Sequence, residues 1–121
     1  MKYMRTFATE DGGSSMEEIS VEAIPTEFVP GNPSMGVSEP QNAGTVKFLQ
    51  VDPGWDGGWH PSPARQYMVP LTGGFRVETT DGQAVELRPG DLVLLDDTSG
   101  KGHHTTMLDG VECWIAVTTL D

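Results

Sequence analysis

Three histidines, His60, His103 and His104, and one cysteine, Cys113, are the side chains of this 121-residue chain best suited to exchanging a proton or gripping a soft metal near neutral pH. An imidazole with its ordinary pKa is the natural proton carrier, and two can serve opposite faces of one substrate. Isomerisation, cyclisation or dehydration of a small molecule needs no more than that. Imidazoles also suit zinc, nickel, copper and iron. Cys113 lies in VECWIAV, with Val111, Ile115 and Val117 on the same face. Nothing near it would generate a thiolate, so it reads as a small buried hydrophobe. A lone cysteine also excludes an intrachain disulfide and a Cys-based zinc knuckle. SGKGHH (99–104) lacks the spacing of a phosphate loop and is set aside.

Histidines so far apart meet only if the elements carrying them fold together. From residue 44 onward, alternation with a period of two dominates and no long helical period is visible. Strands are expected over TVKFLQV (45–51), QYMVPLT (66–72), FRVETT (75–80) and AVELR (84–88). LVLLD (92–96), HHTTML (103–108) and VECWIAVTT (111–119) complete the set. All are short, rich in Val, Thr and aromatics, and divided by turn residues. Asp81-Gly82 is the pair a tight hairpin prefers, and RPGD (88–91) and LDG (108–110) mark further turns. Seven such strands with almost nothing helical between them mean a sandwich or barrel. Alternation puts Gln66, Met68 and Pro70 on one face and Tyr67, Val69 and Leu71 on the other. It also sends His104 to the face opposite His103, exposed. Asp96, Asp97 and Thr98 are expected to hold a tight loop through side-chain to backbone bonds.

The first 43 residues differ. TEDGGSSMEE is polar and Gly/Ser-rich, and ISVEAI (19–24) can add one strand. PTEFVPGNPSMGVSEPQNAG (25–44) carries four prolines and few periodic apolar positions, which reads as a lid or an arm across a partner subunit.

Residues 54–73 resemble the first motif of the cupin superfamily, which runs Gly, five residues, His-x-His, three or four residues, Glu, six residues, Gly. Here Gly54 is followed after five residues by His60; Ser62 stands for the second His, Gln66 for Glu, and Gly73 closes the motif. RPGDLVLLDDTSGKGHH (88–104) resembles the second motif, with Gly90-Asp91, a short apolar strand, and Gly100-Lys101-Gly102-His103; Thr98 replaces its usual Pro. The resemblance covers roughly residues 45–118 and is similar to the small single-domain cupins. It implies an all-β, single-domain double-stranded β-helix, with residues 1–44 as an N-terminal strand and arm or lid and 45–121 as the barrel.

In that fold His60, Ser62 and Gln66 point inward, and His103 joins them from a neighbouring strand. The resemblance then implies His60 and His103 as catalytic residues and His60, Gln66 and His103 as the metal set. Trp59, Ser62, Met68 and Phe75 become ligand contacts, with Trp55 a rim or packing residue. A barrel of this size holds one small ligand. With no carboxylate at position 66 the set gives up charge attraction, so a divalent ion (Zn, Ni, Cu or Fe) is expected to be weakly held or absent. The function expected is binding and conversion of a small organic molecule, by acid–base or weak-metal chemistry of an isomerase, cyclase or lyase type. The alternatives are a non-catalytic ligand-binding cupin and a metal-dependent oxygenase.

Seven Lys plus Arg against eighteen Asp plus Glu give a net charge of −11, which repels phosphate backbones and anionic lipid heads. Nucleic acid and membrane are therefore not expected as partners. No signal-like or membrane-length apolar run is visible, and a cytoplasmic location is expected. A homodimer is expected as well, since VECWIAV is apolar on both faces and small cupins often pack sheets or add strands across a two-fold axis.

Overall fold

Alternating, β-branched sequence becomes a strand wherever a turn residue lets the chain reverse and find a partner. The computed structural model describes residues 1–121 and contains twelve strands and no helix. The larger sheet runs, edge to edge, β2 (Ser14–Ser20), β1 (Lys2–Ala8), β10 (Val93–Asp96), β7 (Gln66–Thr72), β12 (Cys113–Leu120) and β5 (Ala43–Val51). The smaller runs β6 (Asp56–His60), β11 (His103–Met107), β8 (Phe75–Glu78) and β9 (Ala84–Leu87). A separate hairpin pairs β3 (Ile24–Thr26) with β4 (Met35–Val37). No helix is long and apolar enough to cross a membrane.

The two sheets close over one core. Phe75, Val77 and Leu87 come from the smaller sheet; Val93, Leu95, Cys113, Ile115 and Val117 come from the larger. On β12 every second residue, Cys113, Ile115 and Val117, is buried, and on β7 Gln66 and Pro70 are buried while Leu71 is exposed. β10 breaks this alternation: Val93, Leu94 and Leu95 are all buried, so the strand is covered on both faces. A strand covered on both faces reads as a continuous apolar run. The Asp81-Gly82 turn joins β8 to β9, with Gly82 at φ +86°, a conformation glycine adopts without steric cost. This is the jelly-roll, double-stranded β-helix architecture.

Besides β6, which was not expected either, three parts of the chain depart from expectation. β1, not anticipated, runs parallel to β10 with Met4 opposite Val93. Its burial shows no clean alternation, so its identity comes from its neighbours rather than its pattern. β2 lies over Ser14–Ser20 rather than 19–24, and pairs along its whole length with β1. The Pro-rich segment contains the β3–β4 hairpin, with Phe28, Val29 and Met35 exposed on and around it.

Candidate functional site

β6 and β11 lie antiparallel, with His60 opposite His103 and Trp59 opposite His104. Successive strand residues point to opposite faces. One rung therefore turns two imidazoles inward, and the next turns Trp59 and His104 outward. β6 is an unpromising strand by composition, carrying Gly57 and Gly58, yet pairing with β11 makes it one. The strands meet so closely because residue 102 is glycine: its φ is +76°, and a Cβ there would overlap the His60 carbonyl. The two rings end up 4.8 Å apart, centre to centre, inclined at 60°.

Each ring is fixed by one nitrogen. His103, 2 % exposed, donates from Nδ1–H to Asp97 Oδ2 at 2.6 Å. Asp97, wholly buried, also accepts from Thr6 Oγ1 at 2.6 Å on its other oxygen, and its backbone carbonyl accepts from the Ser62 N–H at 2.9 Å. His60 donates from Nδ1–H to the Gly58 carbonyl at 3.0 Å. Carbonyl and carboxylate oxygens only accept, so both neutral rings are held as the Nδ1–H tautomer with an Nε2 lone pair free. No protein group bonds either Nε2, and no buried side-chain nitrogen or oxygen is without a partner. Both Nε2 atoms thus open onto the cavity that the two histidines line.

That cavity measures about 350 Å³. Leu49 and Val51 of β5, Met68, Phe75, Leu95 and Ile115 give it an apolar wall. Gln50, Asp52 and Trp55 also line it while remaining exposed, so they mark its mouth. None of residues 21–44 lines it.

Of the expected contacts, Met68 and Phe75 are on the wall and Trp59 and Ser62 are not. Trp59 is excluded by alternation with His60; it stacks outside against His104 at 5.6 Å and under Lys101 at 4.9 Å. Ser62 follows the strand, and its buried hydroxyl donates to the Ala64 carbonyl at 2.7 Å. Gln66 shares the inner face of β7 with Met68 and is 4 % exposed, without lining the cavity. His104 faces outward, half-covered rather than exposed, and bonds Asp56 at 2.6 Å. Cys113 is buried, and burial pushes its thiol above the usual range, so it is no nucleophile.

The aspartates differ most from expectation. Asp96 does not brace a loop: its carboxylate accepts from Arg5 at 2.7 and 2.9 Å. Asp97 holds His103 and Thr6. Its bond to His103 spans six residues, while its bond to Thr6 spans 91.

The donor set decides how a metal would fare. No three His, Cys, Asp or Glu side chains gather as ligands. Two imidazole Nε2 atoms with no carboxylate facing them offer no negative charge, and Gln66 does not line the cavity, so these residues do not fit a tightly held divalent ion.

A solved structure of a protein from Neisseria meningitidis resembles this one with a TM-score of 0.50 at 18 % identity, over 70 % of this chain and 89 % of that one. A cupin domain from Bordetella pertussis Tohama I matches at 0.45 and 20 % identity, over 82 % and 93 % of the two chains. The likeness shows the fold, the jelly-roll, double-stranded β-helix described above. A sugar phosphate isomerase from the cupin superfamily of Silicibacter pomeroyi matches more faintly, at 0.45 and 13 % identity, over 100 % of this chain and 71 % of that one. Identity this low speaks for the fold alone. No family model and no curated protein matches the chain.

Proposed function

We propose that this cupin binds a small organic molecule in the barrel cavity and moves a proton on it, with His103 as the proton carrier and His60 as the hydrogen-bond acceptor that orients the molecule. The observation that carries the reading is the pair of open Nε2 atoms facing one cavity, each ring immobilised through Nδ1. In this reading His103 Nε2 takes a proton from the bound molecule while Asp97 keeps the ring in the tautomer and orientation that accepts it. His103, now carrying that proton at Nε2, returns it at a second atom, while His60 Nε2 on the opposing strand accepts a hydrogen bond from the bound molecule; the sum is an isomerisation, a cyclisation or an elimination. The apolar wall supports this further, since it excludes water that would compete for the same protons.

Acid–base catalysis by a positioned side chain contributes about 10²- to 10⁴-fold. The test is deuterium uptake from D₂O into a panel of small α-hydroxyketones, followed by proton NMR. The wild-type protein is expected to accelerate exchange into at least one member, and His103→Gln is expected to remove most of that acceleration. Exchange that survives His103→Gln unchanged, or that disappears when only a chelator is added to the wild type, would overturn the reading.

A further inference from the structure

We infer that the molecule this cavity accepts is uncharged, with an apolar body and a hydroxyl head that donates a hydrogen bond, and is not a phosphate ester. This rests on the cavity-binding reading above and narrows it.

The hydrogen-bonding inventory comes first. Both Nδ1–H donors are consumed inside the protein, by Asp97 and by the Gly58 carbonyl. What the two imidazoles present to the cavity is a pair of acceptors. A ligand group must bring its own hydrogen to satisfy them, which a hydroxyl does and an ether, a carboxylate or a phosphate dianion does not.

Charge points the same way. No lysine or arginine lines the cavity. Six of the seven cations are engaged elsewhere: Lys2 with Glu18, Arg5 with Asp96 and Glu17, Arg65 with Asp96, Arg76 with Glu78, Arg88 with Asp109, and Lys101 over Trp59 on the outer face. Lys47, on the strand that supplies Leu49 and Val51, is exposed and no part of the wall. The carboxylate that does reach the mouth, Asp52, repels anions, as does the net charge of −11. An anion entering would lose its hydration without gaining a counter-charge, which is the costly case.

Size and wall define the body. A cavity of roughly 150 Å³ lined by apolar side chains holds benzene, so about 350 Å³ has room for a ring with substituents. Phe75, Leu95 and Ile115 suit an apolar ring.

Three probes with the same ring separate the possibilities: phenol, anisole and phenyl phosphate, titrated calorimetrically into the intact protein at about pH 8, above the ordinary imidazole value. Phenol is expected to bind at least about tenfold more tightly than anisole, the equivalent of one hydrogen bond to an imidazole Nε2 that no protein group satisfies. Phenyl phosphate is expected to show no binding. His60→Leu, checked for native circular dichroism, should shrink the preference for phenol; it spares His103, whose removal would strand the buried Asp97. Anisole equal to phenol, or phenyl phosphate as tight as phenol, overturns the inference. Leu49→Trp, which fills the cavity from the edge strand, tells the two failures apart. If it abolishes binding of the wrong probe, the cavity reading stands and only the ligand class falls. If no probe binds the wild type, or Leu49→Trp changes nothing, both fall.

Discussion

The His60–His103 rung and the Trp59–His104 rung are one residue apart on the same two strands, and each contains a histidine bonded to an aspartate at 2.6 Å. The surroundings differ. His103 and Asp97 are 2 % and 0 % exposed, whereas His104 and Asp56 are 22 % and 52 % exposed. The inner carboxylate is anchored further by Thr6 and can relax toward no solvent. The outer one is held by its own strand, through the Gly58 N–H at 2.9 Å, and water competes for every bond it makes. Geometry alone would rank the two pairs equally; the medium separates a rigid, oriented imidazole from a surface contact. That is why chemistry is assigned to the first rung and not to the second.

The sharpest way to break both rungs at once is Gly102→Ala. A side chain there meets the His60 carbonyl and must also adopt a positive φ, so the β6–β11 ladder has to open. A loss of about 4 kcal/mol or more is expected, among the largest for a single methyl group. Denaturant unfolding measures it, and a near-native midpoint would mean that the two strands are not locked at this point.

Asp97→Ala comes next. It removes two charge-assisted hydrogen bonds and leaves the buried His103 Nδ1–H and the Thr6 hydroxyl hydrogen without acceptors, for an expected loss of about 3 kcal/mol. Asp97→Asn keeps an oxygen for the His103 Nδ1–H and should recover part of that loss. A thermal scan in which Asp97→Ala behaves like a surface substitution would erase the distinction between the rungs.

How much of this could be read from sequence follows from the same contrast. The strand at 66–72 matched its pattern to the residue, because Gln66, Met68 and Pro70 alternate with outward residues and turns bound it. His60 and His103 stood out through motif spacing, a local property. β6 did not, since DGGWH looks like a turn until β11 pairs with it; had 56–60 been read as a strand, alternation would have placed Trp59 outside. β1 and Asp97 were hidden for a deeper reason. β1 and the Thr6 bond of Asp97 both depend on the contact of residues 2–8 with residues 93–97, and no periodicity in either segment encodes the other.

The smallest effect belongs to Asp56, and its sign can be worked out. The backbone N–H of Gly58, followed by the His104 side chain, holds the Asp56 carboxyl below the ordinary aspartate value of 3.8. A carboxyl depressed in the folded state stabilises that state fully above its unfolded pKa, and the contribution is lost as pH falls through the folded pKa. Asp56→Asn should therefore lower the midpoint of thermal unfolding slightly near neutral pH. The gap to wild type should then close on acidification below the ordinary aspartate value, as the wild-type carboxyl takes up its proton. Melting curves between about pH 2 and pH 7 follow both proteins through that window. A gap that widens in acid would mean that Asp56 acts through something other than its charge. One at neutral pH as large as that of Asp97→Ala would show the outer rung to be as firmly set as the inner.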